Sequence, residues 1–275
     1  MSANLEFLDV AVIGGGPAGL SACLELCTHA GLSIGLFEGE QDLGGMPRSC
    51  HVFFGLRDRK RLYTGPSYAR KLDKLIRKTG VHVYTGSRVL NIVPGGLGEA
   101  HELHVLSPEG PQSFRSRFIL LATGCFESSR SERLLPGTRP SGIFTTGTLQ
   151  QLVNLRHVKP GNRALIVGSE HVALSSVLTL RRAGTSIAGM VERDTELHTY
   201  ASVATLMSRL FGFPIVKNAT LHRIIGNRRV EGVELLSGGN GHVLQIECDS
   251  VVMTGRFRPD SSLIDSTPIE KDPCT

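Results

Sequence analysis

Gly14, Gly16 and Gly19 stand in a G-x-G-x-x-G pattern, and an acid, Glu38, follows 19 residues beyond the last of them. These residue types at this spacing suit the cradling of a dinucleotide. Gly14 allows a tight turn after a strand, Gly16 lets backbone N–H groups touch a pyrophosphate, and Gly19 lets a helix pack close to that strand. The helix N-terminus adds a favourable field for phosphate, about 0.3–1 kcal/mol per charge. Glu38 is spaced to reach a ribose hydroxyl. A lone glycine pattern also occurs as a plain glycine-rich turn, so the elements around it decide. Residues 7–13 (FLDVAVI) read as a buried parallel strand, 20–30 as a helix ended by Gly31, and 32–37 as a second strand stopping at Glu38. Strand, glycine turn, helix, strand and acid are the parts of one dinucleotide-binding unit.

The arrangement recurs 154 residues later. Residues 163–167 (RALIV) read as a strand, Gly168-Ser169-Glu170-His171-Val172-Ala173 as the turn, 174–182 as a helix ending at Gly184, and 186–191 as a strand ending at Glu192. Glu192 follows Gly168 by 24 residues, as Glu38 follows Gly14. Two such units imply a flavin half and a nicotinamide-like half. In the second, Glu170 stands where the close-approach glycine belongs, and its Cβ and negative charge oppose a diphosphate. This unit is therefore expected to keep its fold and to have lost its nicotinamide, with His171 a surface helix residue. NAD(P) stays open as a second nucleotide.

Between the units, residues 66–78 read as an amphipathic helix with Pro66 in its first turn. Residues 81–84 and 88–93 read as short strands, followed by a hairpin with turns at 94–98 and 108–111, and 118–121 as a buried strand entering Ala122-Thr123-Gly124. Residues 141–161 read as a connector and 206–211 as a helix. Residues 220–249 read as a β-meander with a turn at 238–241, and 250–253 as a strand.

Composition sets the limits. With 275 residues, 40% hydrophobic and 20% charged, the chain can build a real core, which excludes disorder, collagen and coiled coil. Aromatics at 5% and no Trp argue against base-stacking nucleic-acid binding. The net charge of +5 suits an anionic cofactor as well as a nucleic acid. The basic run Arg57-Asp58-Arg59-Lys60-Arg61 reads as a solvated face, so no nucleic-acid partner is expected. Cys23, Cys27, Cys50, Cys125, Cys248 and Cys274 are scattered without a C-x-x-C, so neither a metal site nor disulfide exchange is expected. Cys23, Cys27 and Cys125 read as packing residues. No run reaches membrane-span length and the N-terminus lacks a basic leader, so a cytoplasmic location is expected.

Further motifs join these: Gly44-Gly45-Met46-Pro47-Arg48-Ser49-Cys50-His51, Phe54-Gly55-Leu56-Arg57, residues 62–70 (LYTGPSYAR), Gly142-Ile143-Phe144-Thr145-Thr146-Gly147, and Thr254-Gly255. With them the chain resembles the pyridine nucleotide-disulfide oxidoreductase superfamily of two-dinucleotide-domain flavoproteins. It is similar to the branch holding the FAD subunits of opine oxidases, hydroxyproline and proline dehydrogenases, and hydrogen cyanide synthase. The resemblance implies an α/β fold of two Rossmann-like domains, three-layer ββα, the second inserted in the first. The expected parts are an FAD domain over 1–141, an NAD(P)-like domain over 142–254, and a return to the FAD domain over 255–275 that stops before the domain closes.

It also implies that FAD is the cofactor. Gly14, Gly16, Pro17, Ala18 and Gly19 would hold its pyrophosphate and Glu38 its ribose. Gly45, Met46, Pro47 and Arg48 would lie along the pyrophosphate-to-flavin stretch, and Val89 would meet the adenine by its backbone. Ala122, Thr123 and Gly124 would close over the cofactor. The implied activity is that of an FAD subunit in a heteromeric amine or amino-acid dehydrogenase. Its expected partners are a second, flavin-containing catalytic subunit and an iron–sulfur protein. No His/Asp or carboxylate pair is read as spaced to act as a substrate base, and no catalytic residue is assigned. Two other readings remain: a self-contained NAD(P)H-dependent flavin reductase, with Glu192 selecting NADH, and a scaffold without flavin.

Overall fold

Runs of apolar and β-branched residues, each followed by a glycine turn, build two parallel sheets. The computed structural model describes residues 5–238, 241–265 and 267–268. It divides into two compact units, one of residues 1–48, 53–126 and 259–275, the other of 49–52 and 127–258. The second is thus inserted in the first. The divisions fall at 126/127 and 258/259, where the sequence suggested 141/142 and 254/255. Hydrogen bonds explain the shift: Ser128 N–H binds Arg256 O, and Arg133 donates to the carbonyls of Thr254 and Gly255. Residues 127–141 are therefore tied into the second unit.

The first unit runs β1 (Glu6–Ile13), α1 (Pro17–Leu26), β2 (Ile34–Phe37), a short hairpin of β3 (Phe53–Phe54) and β4 (Tyr63–Thr64), then α2 (Gly65–Ile76). It continues with β5 (His82–Tyr84), β6 (Arg88–Val93), β7 (His101–Ser107) and β8 (Gly110–Leu121). The sheet order is β5-β2-β1-β8-β7-β6. The first four strands are parallel, and β7 and β6 are added antiparallel. Val10 and Val12 of β1 pack with Leu20, Leu72 and Ile76 of the helices. Ala11 and Ile13 turn to the other face, against Phe37, Val89, Leu103, Val105 and Phe114. Those two cores separate the three layers.

Two short strands, β9 (Cys125–Glu127) and β18 (Phe257–Pro259), pair where the chain leaves and re-enters the first unit. The second unit contains β10 (Ile143–Thr145), α3 (Thr146–Gln150), β11 (Arg163–Val167), α4 (His171–Arg182), β12 (Ser186–Val191), α5 (Ala201–Phe211) and β13 (Ile215–Val216). A π-helix, Gln151–Leu155, continues α3. The parallel sheet has the order β10-β17-β11-β12-β13, where β17 is Ser250–Met253. β14 (Ala219–Ile225), β15 (Gly232–Ser237) and β16 (His242–Glu247) form an antiparallel sheet. Helices cover one face of the parallel sheet through Leu149, Val177 and Leu180, and Ile224, Val233 and Leu235 pack on the other.

Several elements differ from expectation. α1 begins at Pro17 and stops at Leu26, because proline suits the first helical turn and the short-range bonds of residues 27–29 tighten its end. The strand expected at 118–121 is the end of a 12-residue strand whose first half serves the hairpin with β7. The expected connector 141–161 carries β10, α3 and the π-helix. α4 and α5 start earlier than their apolar runs. Cys125, expected to pack, is exposed, whereas Cys23, Cys50 and Cys248 are buried. Cys274 and part of the 238–241 turn lie outside the described residues. No helix among the described residues is long and apolar enough to cross a membrane.

Candidate functional site: two crevices at the carboxyl ends of parallel strands

In an open parallel sheet, ligands bind where neighbouring strands send their connections in opposite directions. In the first unit that point lies between β1 and β8. The chain leaves Ile13 through Gly14, whose N–H donates to Phe37 O at 2.8 Å. Gly14 has φ +110°, and a Cβ there would collide with the Ala122 carbonyl. Ala122 N–H in turn donates to Ile13 O at 2.8 Å, so the turn and the end of β8 are in backbone contact. A Cβ on Gly19 would collide with Gly14 O, which is why α1 can start so close to the strand. Gly16 differs from both: a Cβ there would meet nothing nearer than Gly45 Cα at 4.0 Å. The space over Gly16 is open, bordered by half-buried Pro17 and exposed Ala18.

Glu38 is brought to this turn by β2. Its Oε2 accepts Gly15 N–H at 2.8 Å, and its Oε1 accepts Glu40 N–H at 2.8 Å. A carboxylate has about four lone-pair sites, so these two bonds orient it and leave acceptor capacity for a diol. Ser87 N–H donates to Glu38 O, tying the start of β6 to the acid. Val89, two residues on, is buried in β6 opposite Val105. Gly44 N–H donates to Gly15 O at 2.8 Å, so the 43–48 loop lies on the glycine turn and Gly45 faces Gly16. Met46 is 57% exposed, and an apolar cleft of about 380 Å3 lies beside it, lined by Pro17, Pro47, Phe53, Phe54 and Tyr68. Tyr68 OH donates to Asp58 at 2.7 Å, and burial together with that carboxylate pushes the phenol up to about 12.

Arg48 points elsewhere. Its guanidinium forks onto Glu40 and, at 2.9 Å, onto Asp42. At the far side, Thr123 Oγ1 donates to Asp260 O at 2.8 Å, and Asp260 N–H donates to Gly124 O at 3.0 Å. The structure thus gathers Gly14, Gly16, Pro17, Ala18, Gly19, Glu38, Gly45, Ala122, Thr123 and Gly124 round one crevice. It sets Val89 on the strand behind and commits Arg48 to acidic neighbours. Sequence reasoning missed Gly15 and Asp260. Both act through backbone atoms, which no residue type announces.

The first crevice fits FAD. A glycine backbone faces open space at a helix N-terminus, an oriented acid lies beside it, and among the described residues no side chain fills the cradle. When bound, FAD supplies two-electron redox chemistry, and the residues above would hold its pyrophosphate and ribose.

The second crevice repeats the backbone. Gly168 N–H donates to Val191 O at 2.8 Å, and Thr254 N–H donates to Val167 O at 2.9 Å, which places the turn between β11 and β17. The contents differ. Glu170 Oε2 accepts from Thr254 Oγ1 at 2.6 Å, and a Cβ on Gly255 would collide with the same carboxylate. Glu192, 5% exposed, accepts from Ser169 Oγ and, at 3.1 Å, from Asp194 N–H. His198 Nε2 lies 2.7 Å from Asp194 and 3.9 Å from Glu192, and its pKa is raised by the Asp194 hydrogen bond and by Glu192. Glu127 Oε2 accepts Gly147 N–H at 2.7 Å, and burial raises this carboxyl above the ordinary range. His171 is exposed, stacked on Tyr200 with ring centroids 5.0 Å apart.

Known proteins are similar to this chain in sequence or in fold. The hydrogen cyanide synthase subunit HcnB of Pseudomonas protegens is 32% identical over 67% of this chain, and the chain spans 38% of that protein's length. An NADH dehydrogenase of Bacillus subtilis is 23% identical over 96% of the chain, which spans 49% of it. The chain thus spans less than half the length of these curated relatives. Among solved structures, T. acidophilum thioredoxin reductase superposes with a TM-score of 0.78 at 16% identity, covering 98% of this chain and 83% of that one. The L-proline dehydrogenase of P. horikoshii gives 0.59 at 20% identity, covering 94% and 44%. The family model for pyridine nucleotide-disulphide oxidoreductases matches residues 8–273. The chain belongs to the pyridine nucleotide-disulphide oxidoreductase family, flavin-dependent oxidoreductases that combine FAD with NAD(P)H on two dinucleotide folds.

Proposed function

We propose that this chain is the FAD-binding, electron-transferring subunit of a heteromeric dehydrogenase acting on an amine or amino acid. The observation that carries the reading is the open, glycine-floored crevice over Gly16, with Glu38 oriented beside it. The structure does pair His198 with Asp194, 2.7 Å apart in the second unit, where the sequence suggested no such pair; no residue is assigned as a substrate base, and substrate oxidation is placed on another polypeptide. The similarity to a protein named as a hydrogen cyanide synthase subunit supports a partner, and the likeness to an L-proline dehydrogenase agrees in fold. The partners of this reading are a second flavin subunit that breaks the substrate C–H bond and an iron–sulfur protein that carries electrons onward. The first unit supplies position and field: Gly14 to Gly19 hold the pyrophosphate, and the α1 N-terminus offsets its charge.

The alternative is a self-contained NAD(P)H-dependent reductase, which the family's use of NAD(P)H keeps in play. Anaerobic mixing of the FAD-loaded chain with NADH separates the two. The subunit reading expects flavin absorbance to persist over minutes, and rapid bleaching would exclude it.

A further inference from the structure

The two crevices share a backbone and differ at one residue. Gly16 leaves the first open, and its counterpart two residues beyond Gly168 is Glu170. The Glu170 side chain does not extend into solvent. It turns back over Gly168 to Thr254 Oγ1, at 2.6 Å, and lies against Gly255. Arg133 sits on the same knot. Its guanidinium donates to the carbonyls of Thr254 and Gly255 at 2.9 Å each and feels the charges of both Glu170 and Glu127. A carboxylate therefore occupies the point between β11 and β17 where a dinucleotide would lay its pyrophosphate, with Arg133 bound to the carbonyls of the same segment.

The ribose position is covered differently. Glu38 in the first unit is oriented by two backbone N–H groups. Glu192 is instead bound by the Ser169 hydroxyl, by Asp194 N–H, and by the proximity of His198. Ser169 Oγ also accepts His198 N–H at 2.9 Å, and Thr199 bonds His171 Nδ1 at 2.8 Å. Residues 194–200 are thereby fastened across the end of β12. Glu192 thus accepts two hydrogen bonds, as Glu38 does, but it is buried with His198 beside it, so the difference that sets the second unit apart is Glu170.

We infer that the second dinucleotide fold is self-liganded: the Glu170 carboxylate takes the place of a nucleotide pyrophosphate and is the specificity residue that makes this unit reject NAD(P)H. An incoming diphosphate must displace a seated carboxylate of its own charge sign and reclaim the Thr254 hydroxyl. The site is latent and not lost, because Gly168, the α4 N-terminus and Arg133 all remain. The inference goes beyond the electron-transfer reading and does not rest on it, since FAD content is scored separately.

Isothermal titration of NADH into the full chain, as wild type, Glu170→Gly and Glu170→Gln, tests it, with FAD content and thermal melting recorded for each. Wild type is expected to show no saturation at millimolar NADH. Glu170→Gly is expected to bind at least about ten-fold more tightly, with Glu170→Gln, which keeps the bulk and drops the charge, in between. Saturation of wild type at micromolar NADH overturns the inference. So does a Glu170→Gly variant that melts like wild type and binds no better. Should Glu170→Gly fail to fold, Glu170→Gln decides alone, and wild-type affinity in it counts against Glu170.

Discussion

Gly16 is the residue on which cofactor binding turns. A valine there has room on its own chain, since nothing lies within 4 Å of its Cβ but the Gly45 Cα at that limit, yet it fills the cradle. Gly16→Val is therefore expected to fold and to lose FAD retention, whereas Glu170→Gly retains FAD; flavin absorbance per chain and circular dichroism check both. Gly14→Ala is a different change. It forces a side chain onto φ +110° and into the Ala122 carbonyl, so it should cost stability, at least about 1–3 kcal/mol, and not cofactor alone. Glu127 gives a pH signature. Burial raises its pKa, so the folded chain holds that proton more tightly than the unfolded one. Its contribution to stability is complete below the ordinary value of 4.5 and is lost as pH rises through the raised value. Urea unfolding should show Glu127→Gln gaining on wild type across that window, and parallel curves would contradict it. Thiol chemistry follows exposure. Cys125 should react with a disulfide reagent in the native state, while Cys23, pushed up to about 12 by burial, and Cys248, up to about 11, should react only on unfolding.

At the scale of elements, the glycine turns and their flanking strands were legible because sterics at Gly14 and Gly19 leave few other residues there. The strand at Arg163–Val167 and the strand at Ser186–Val191 fall where their apolar runs put them. β10 and α3 were hidden because a three-residue strand and a Thr- and Gly-rich helix carry no period to read. The seat of Glu170 was half legible. Its charge at a glycine position was plain, but its bond to Thr254 joins residues 84 apart, which only the folded sheet brings together. Asp260 was invisible for the same reason, since it serves Thr123 and Gly124 through its backbone. α2 shows what packing adds: its apolar face of Tyr68, Ala69, Leu72 and Ile76 seals the helix layer of the first unit. Leu72 is fully buried, and Leu72→Ala should cost about 2–5 kcal/mol in denaturant unfolding.

For the molecule as a whole, two copies of one fold have diverged in what fills them. The first keeps a backbone cradle open to an anion, and the second closes the same cradle with its own carboxylate. A chain so built can hold FAD, and the subunit role proposed above has another polypeptide bring its electrons. The resemblance read in the sequence motifs and the family match agree on two dinucleotide folds. The claim beneath all others is that the Gly16 crevice holds one FAD. Equilibrium titration of the purified wild-type chain and Gly16→Val with FAD, read as bound flavin per chain, tests it most directly. One FAD per wild-type chain and none on Gly16→Val is the predicted result. Equal binding by both, or none by a folded wild type, would contradict it.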